Sequence, residues 1–240
     1  MLWLRSLLFS IGSILALSVV VFVGFFCAPF SYRIRYGWIS QWARFNIWWL
    51  RVTCKLDYVV EGRENIPQEP VIVFCKHQST WETLIMQVLL PPQVWVLKRE
   101  LLWVPVFGWG LALLKPIAIQ RGAGRKAVFQ IVDQGVQRLR DGQWVVIFPE
   151  GTRVAPGERV RYGIGGAVLA ERSGGFKVLP VAHNAGEYWG RRQFIKRPGT
   201  IKIVFGPLIT TEGKTAAEIN AEAEAWIEGA AAEISTLRSR

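Results

Sequence analysis

Two short passages in this 240-residue chain bring together side chains that can move a proton and hold an anion. The first is Val71-Ile-Val-Phe-Cys-Lys-His77-Gln-Ser-Thr-Trp-Glu82, an apolar run that delivers one of only two histidines to its carboxyl end, with an acid five residues further on. An imidazole paired with a carboxylate suits general-base chemistry: the acid fixes the tautomer, and the other ring nitrogen takes a proton from a hydroxyl. Spacing restricts how the pair can meet. Five residues along one helix turn through about 500°, which leaves the two side chains about 140° apart. They meet only if His77 lies in the turn before a helix and Glu82 in its first turn. Ser79-Thr-Trp-Glu82 also spells a capping box, in which Ser79 caps the helix and Glu82 reaches back to its amide.

The second passage, Trp144-Val-Val-Ile-Phe148-Pro-Glu150-Gly-Thr-Arg153, again runs from an apolar stretch into a compact polar loop. The planar fork of arginine fits a phosphate, a glycine lets backbone N–H groups approach an anion, and a carboxylate suits hydroxyls on the same small molecule. Read alone, the loop is equally a turn carrying a surface Glu–Arg ion pair.

In order and spacing, His77-x4-Glu82 followed about seventy residues later by Phe148-Pro-Glu-Gly-Thr-Arg153 resembles the glycerolipid acyltransferase family, in particular its bacterial 1-acyl-sn-glycerol-3-phosphate acyltransferases. The resemblance runs from Glu61 to Pro207 and includes Leu97-Lys98-Arg99-Glu100-Leu101, Pro105-x2-Gly108-Trp109, Ile119-Gln120-Arg121 and Val178-Leu-Pro180-Val181. It implies transfer of an acyl chain from a thioester, acyl-CoA or acyl-carrier protein, to the free hydroxyl of lysophosphatidic acid, giving phosphatidic acid in phospholipid biosynthesis. His77 is then implied as general base, and Glu82, where the family usually has Asp, as the acid that orients it. Arg121 matches an arginine assigned to the acceptor phosphate, although Gln120 replaces the usual Asp and Lys115 the usual glycine. Glu150, Gly151, Thr152 and Arg153 are implied to hold the glycerol-phosphate part, Lys98 to add a phosphate contact, and Pro180 to shape the acyl-donor side. No cofactor or metal is implied, because a thioester is already activated, and the absence of a Gly-x-Ser-x-Gly elbow favours direct transfer.

These passages need strands that end beside one another and helices that start there. From Lys55 onward, β-rich runs at Asp57–Val60, Val71–Phe74, Val94–Leu97, Ile117–Ile119, Val145–Phe148, Val178–Val181 and Ile201–Phe205 alternate with helical stretches at Thr80–Leu89, Ala127–Leu139, Gly166–Arg172 and Ala216–Leu237. That alternation predicts an α/β body with a largely parallel mixed sheet covered by helices. Ligands bind at the carboxyl ends of such strands. His183, in Val-Ala-His-Asn, reads as a hydrogen-bonded strand-end histidine and Cys75 as packing.

Residues 1–54 read differently from 55–240, which the resemblance implies to be the α/β acyltransferase domain. Leu7–Phe26 is an uncharged apolar run whose length at about 1.5 Å per residue matches a bilayer's roughly 30 Å hydrocarbon core. Tyr36 to Leu56 follows with Trp38, Trp42, Phe45, Trp48 and Trp49 at helical spacing among Arg44 and Arg51. This predicts two membrane-associated helices, the second at the headgroup layer; packing on the body is the alternative for that second helix. Of the net charge of +11, six units fall within residues 1–56, which hold no acid. A mean hydropathy of +0.23 excludes a disordered chain. The three cysteines lack disulfide-scaffold or zinc spacing and read as thiols facing the cytosol. A bacterial inner membrane with the site on its cytoplasmic face is expected, with membrane lipids as partners and no nucleic acid.

Rival readings fit less of the chain. Gly122-Ala-Gly124-Arg-Lys-Ala127 fits a dinucleotide fingerprint, but Glu150 lies too far along to be its ribose acid. A non-enzymatic basic membrane-binding module would leave both strand-end clusters idle. Glycerol 3-phosphate, another lysophospholipid or a lyso-ornithine lipid are alternative acceptors.

Overall fold

The computed structural model describes residues 1–120, 122 and 124–237. Among the described residues, seven strands form one sheet: β1 (Leu56–Glu61), β2 (Ile72–Cys75), β3 (Gln93–Lys98), β4 (Ile117–Ile119), β5 (Trp144–Ile147), β6 (Val178–His183) and β7 (Gly199–Phe205). Their order is β1-β7-β6-β2-β5-β3-β4, and every pair is parallel except β6 with β7. The sheet is the largely parallel mixed one that the alternation predicts. In the middle four strands, β6-β2-β5-β3, all carboxyl ends point the same way, so the segments after Cys75, Lys98, Ile147 and His183 emerge side by side.

The helices are α1 (Leu2–Phe26), α2 (Tyr32–Cys54), α3 (Trp81–Leu89), α4 (Phe107–Leu113), α5 (Arg125–Arg140), α6 (Gly165–Arg172) and α7 (Ala216–Ile234). Strand residues alternate between two cores, as period-2 geometry requires. Val73 and Cys75 of β2 and Trp144 and Val146 of β5 pack with Leu50, Trp81 and Ile85 from α2 and α3. Ile72, Phe74, Val145 and Ile147 face the other way, onto Ile131, Leu169, Ile219 and Ile227 from α5, α6 and α7. Burial on both faces is why these strands read as unbroken apolar runs. The sequence reading missed α4: its glycine-rich seven residues carry too little periodicity. Gly108 is there because a Cβ would meet the Leu102 carbonyl oxygen at 2.3 Å.

The N-terminal pair starts earlier than the sequence pattern indicates and is sewn to itself and to the body. Indole N–H groups of Trp38, Trp42 and Trp49 donate to the carbonyls of Val20, Ser13 and Leu8 of α1 at 2.8, 3.0 and 3.2 Å. These three tryptophans therefore face the partner helix, whereas Trp48 remains exposed. Phe9, Leu50 and Cys54 belong to the same core as the sheet. At its two ends, α1 packs Trp3 against Phe194 and Phe25 against Trp109, with ring centroids 5.8 and 6.3 Å apart. It is long and apolar enough to cross a membrane, and Leu8, Ile14, Leu15, Val19, Phe22 and Phe26 are exposed along its outer face.

The α1–α2 seam depends on Gly12, where a Cβ would fall 2.3 Å from Trp49 Nε1; at Gly37 a Cβ meets nothing within 4 Å. Gly12→Ala should therefore introduce overpacking of about 1–3 kcal/mol and lower the thermal midpoint in detergent by several degrees. Gly37→Ala should hold or raise that midpoint, through the better helix propensity of alanine.

Candidate active site

The turn between β2 and α3 holds His77, and α3 begins at Trp81, so Glu82 lies in the first helical turn. The pair meets in the one way the spacing allows: His77 Nδ1 lies 2.8 Å from Glu82 Oε1. The same oxygen accepts the backbone N–H groups of Gln78 at 2.9 Å and Ser79 at 2.7 Å. The capping reading and the pairing reading thus describe one carboxylate. Ser79 departs from the box, since its hydroxyl accepts from Trp81 N–H and not from Glu82. Glu82 is fully buried. Burial alone would push its carboxyl up, but the N–H groups of His183, His77 and Ser79 that face it outweigh burial and hold the group below its ordinary value. An ionised carboxylate only accepts, so His77 Nδ1 carries a proton, and in the neutral ring the lone pair lies on Nε2.

The loop after β5 completes the seat of this histidine. Phe148 stacks on the imidazole, ring centroids 4.0 Å apart and planes 15° apart. Glu150 Oε2 accepts the His77 backbone N–H at 2.5 Å, and Val154 N–H donates to the His77 carbonyl at 2.8 Å. Glu150 was expected to meet substrate hydroxyls. Instead its carboxylate is turned inward, with Oε1 2.7 Å from the buried ammonium of Lys76. Burial nevertheless pushes the Glu150 carboxyl up, against the pull of Lys76. Gly151 sits at φ 67°, which glycine adopts without strain, and Thr152 is exposed.

Behind His77, the second histidine is also fixed. His183 Nδ1 accepts Ala185 N–H at 3.2 Å, so Nε2 carries its proton and donates to the Lys76 carbonyl at 2.8 Å. Burial pulls its pKa down, in keeping with a neutral ring. As expected it is a hydrogen-bonded strand-end residue, 3.8 Å from Glu82 Oε2. Cys75 is buried, as its packing role requires.

Beside the histidine opens a cavity of about 200 Å³ walled by apolar side chains of α1, α2 and α4, among them Leu17, Val20, Ile39, Trp42 and Leu111. His77, Arg153 and Lys98 all line it. Burial, helped by Arg191, pulls the Arg153 pKa down, against the opposing field of Glu82. The guanidinium stays cationic, and a partly desolvated cation favours an anionic partner. Lys98, the last residue of β3, is exposed at the rim. Pro180 is buried within β6, opposite Phe74. Arg121 lies outside the described residues; β4, which precedes it, ends at Ile119. Among the described residues, no group of three or more His, Cys, Asp or Glu side chains could hold a metal ion.

Sequence reasoning missed Lys76 and Glu228. Lys76 Nζ also contacts Glu228 Oε1 of α7 at 2.6 Å, and that oxygen accepts the Tyr162 hydroxyl at 2.9 Å. A lysine at the end of an all-apolar strand was the available signal, because a charge at such a position is buried unless the chain turns outward.

The model of the Acyltransferase family matches residues 57–184. A 1-acyl-sn-glycerol-3-phosphate acyltransferase of Pseudomonas aeruginosa is 48% identical over 94% of this chain and 91% of its own length. A lyso-ornithine lipid O-acyltransferase of the same organism is 29% identical over 58% of this chain and 53% of its own. Among solved structures, the 1-acyl-sn-glycerophosphate acyltransferase of Thermotoga maritima shares the fold, with a TM-score of 0.81 over 99% of this chain and 97% of that one at 21% identity. With the family model covering more than half of it and a relative nearly half identical along almost its full length, the chain belongs to the Acyltransferase family and is an O-acyltransferase.

Proposed function

We propose that this enzyme transfers an acyl chain from a thioester, acyl-CoA or acyl-carrier protein, to the free hydroxyl of 1-acyl-sn-glycerol 3-phosphate, giving phosphatidic acid for phospholipid biosynthesis. The observation that carries the reading is the His77–Glu82 pair at the edge of an apolar cavity that Arg153 and Lys98 also line. His77 Nε2 takes the proton of the acceptor hydroxyl as its oxygen attacks the thioester carbonyl, and Glu82 stabilises the imidazolium that forms. The proton then passes to the leaving thiolate, which departs as the free thiol. Arg153, with Lys98 at the rim, receives the phosphate of the acceptor; the cavity receives its acyl chain. Glu82, Thr152 and Gly151 keep the roles the resemblance implies, and Arg121 is assigned to the phosphate on that resemblance alone. The relatives named for lysophosphatidic acid support this acceptor.

The apolar outer face of α1 and its contacts with the body at both ends support a membrane-surface enzyme, with α1 lying along the protein and its exposed face in lipid. Residues 1–54 act as the membrane-associated unit and 55–240 as the acyltransferase domain, on the cytoplasmic side of an inner membrane. The basic balance of the chain suits an anionic leaflet.

Purified protein given labelled acyl-CoA or acyl-carrier protein and a panel of lyso-acceptors should form phosphatidic acid, identified by mass. Product from a lyso-ornithine lipid in preference to lysophosphatidic acid would overturn the acceptor. His77→Ala should lower turnover by about 10²–10⁴-fold while the protein keeps its thermal midpoint and membrane recovery. Arg153→Ala should raise the KM for the acceptor through loss of a charge-assisted bond, about 1.5–3 kcal/mol or roughly 10–150-fold. An effect confined to the thioester would reverse the placement of the two substrates.

A further inference from the structure

The ammonium of Lys76 is a cation sealed inside the protein, one residue before the histidine. Its Nζ lies 2.7 Å from Glu150 Oε1 and 2.6 Å from Glu228 Oε1, and its side chain is almost wholly shielded from solvent. A lysine so buried is retained only with paired charge around it. The arrangement is directional. Glu150 gives one oxygen to Lys76 and the other to the His77 backbone N–H. Glu228 comes from α7, 152 positions further along the chain, and is itself held by the Tyr162 hydroxyl, with Arg159 at 3.7 Å. The Lys76 carbonyl is meanwhile taken by His183. A relay therefore runs from the C-terminal helix through Lys76 and Glu150 to the backbone of His77. None of Lys76, Glu150 and Glu228 is among the side chains that line the cavity with Arg153 and Lys98.

We propose that Lys76 is a positioning residue for the acyl-transfer reaction: clamped by Glu228 of the C-terminal helix, it holds the Glu150 side chain aimed at the His77 N–H, and so sets where the imidazole stands. The inference rests on His77 being the base in the function proposed above. Without the ammonium, Glu150 would stand buried beside Glu228 with no opposite charge near it, and burial would drive its carboxyl to take up a proton. A protonated Glu150 is a weaker acceptor and no longer constrained toward His77. The imidazole then swings off the hydroxyl by a fraction of an ångström, which catalysis registers as turnover, not as affinity.

The relay can be separated from simple stability by one rescue. Glu150→Gln puts an amide oxygen where the carboxylate accepts the His77 N–H, and an amide needs no counter-charge. Lys76→Met should lower kcat about 10–100-fold, with both KM values changed less than about threefold. Adding Glu150→Gln to Lys76→Met should return kcat to within about threefold of Glu150→Gln alone. Glu228→Gln should lower kcat by only a few fold, since Lys76 keeps Glu150. Should Lys76→Met alone fail to fold, the comparison of Lys76→Met/Glu150→Gln with Glu150→Gln carries the test. Wild-type kcat in Lys76→Met, a loss seen mainly in KM, or a further tenfold loss in the double variant overturns the relay. An inactive wild type overturns the function itself, and with it this inference; an active wild type with any of those three outcomes overturns the role of Lys76 alone.

Discussion

One oxygen atom organises this site. Glu82 Oε1, shut away from water, gathers a ring N–H from His77 and two backbone N–H groups from Gln78 and Ser79. A buried carboxylate without such donors would be strongly unfavourable, and breaking a buried charge pair typically costs about 3–5 kcal/mol. The turn from β2 into α3 is therefore not free to vary. It must present three donors to one point, which fixes both the start of the helix and the tautomer of the histidine. With α3 starting at Trp81, the Glu82 carboxylate reaches back across the turn to these donors.

The strand order makes the two motifs one structure. β2 and β5 are hydrogen-bonded neighbours although the chain visits β3 and β4 between them. The loop after β5 then closes over the turn after β2: Phe148 covers the imidazole face, Glu150 holds the His77 N–H, and Val154 holds its carbonyl. Within this frame the Glu150 carboxylate faces the interior, and Arg153 is the residue of the loop's Glu-Gly-Thr-Arg run that lines the cavity. The charges around His77 are thus of two kinds, Lys76, Glu150 and Glu228 being buried and Arg153 and Lys98 lining the cavity.

Much of this was legible beforehand, for a physical reason. Strands buried on both faces must be apolar throughout, so β2, β5 and β6 announced themselves by composition, and their boundaries moved by a residue or two at most. Helical pitch restricted how His77 and Glu82 could meet, to a turn before the helix and its first turn; that they do meet is a finding of the structure. Other features were not legible. α4 has only seven residues, all apolar or glycine, with Gly108 and Gly110 in close approach to Leu102 and Val21, so it has no polar face against which a helical period could be read. Trp38, Trp42 and Trp49 have the spacing of headgroup anchors, yet their N–H groups found helix carbonyls on α1; an amphipathic ring serves either purpose, and only the neighbour decides.

What the sequence determined by itself was the chemistry on offer and the strand ends that carry it, because side-chain type and local periodicity are properties of short stretches. What only tertiary structure decided was direction: that Glu150 turns inward, that Lys76 is interior, and that Glu228 on the last helix reaches the turn that holds His77. Those outcomes depend on which strands lie side by side and which helix covers them. A buried charge takes whatever opposite charge the packing brings to it, however far away in the chain that residue lies.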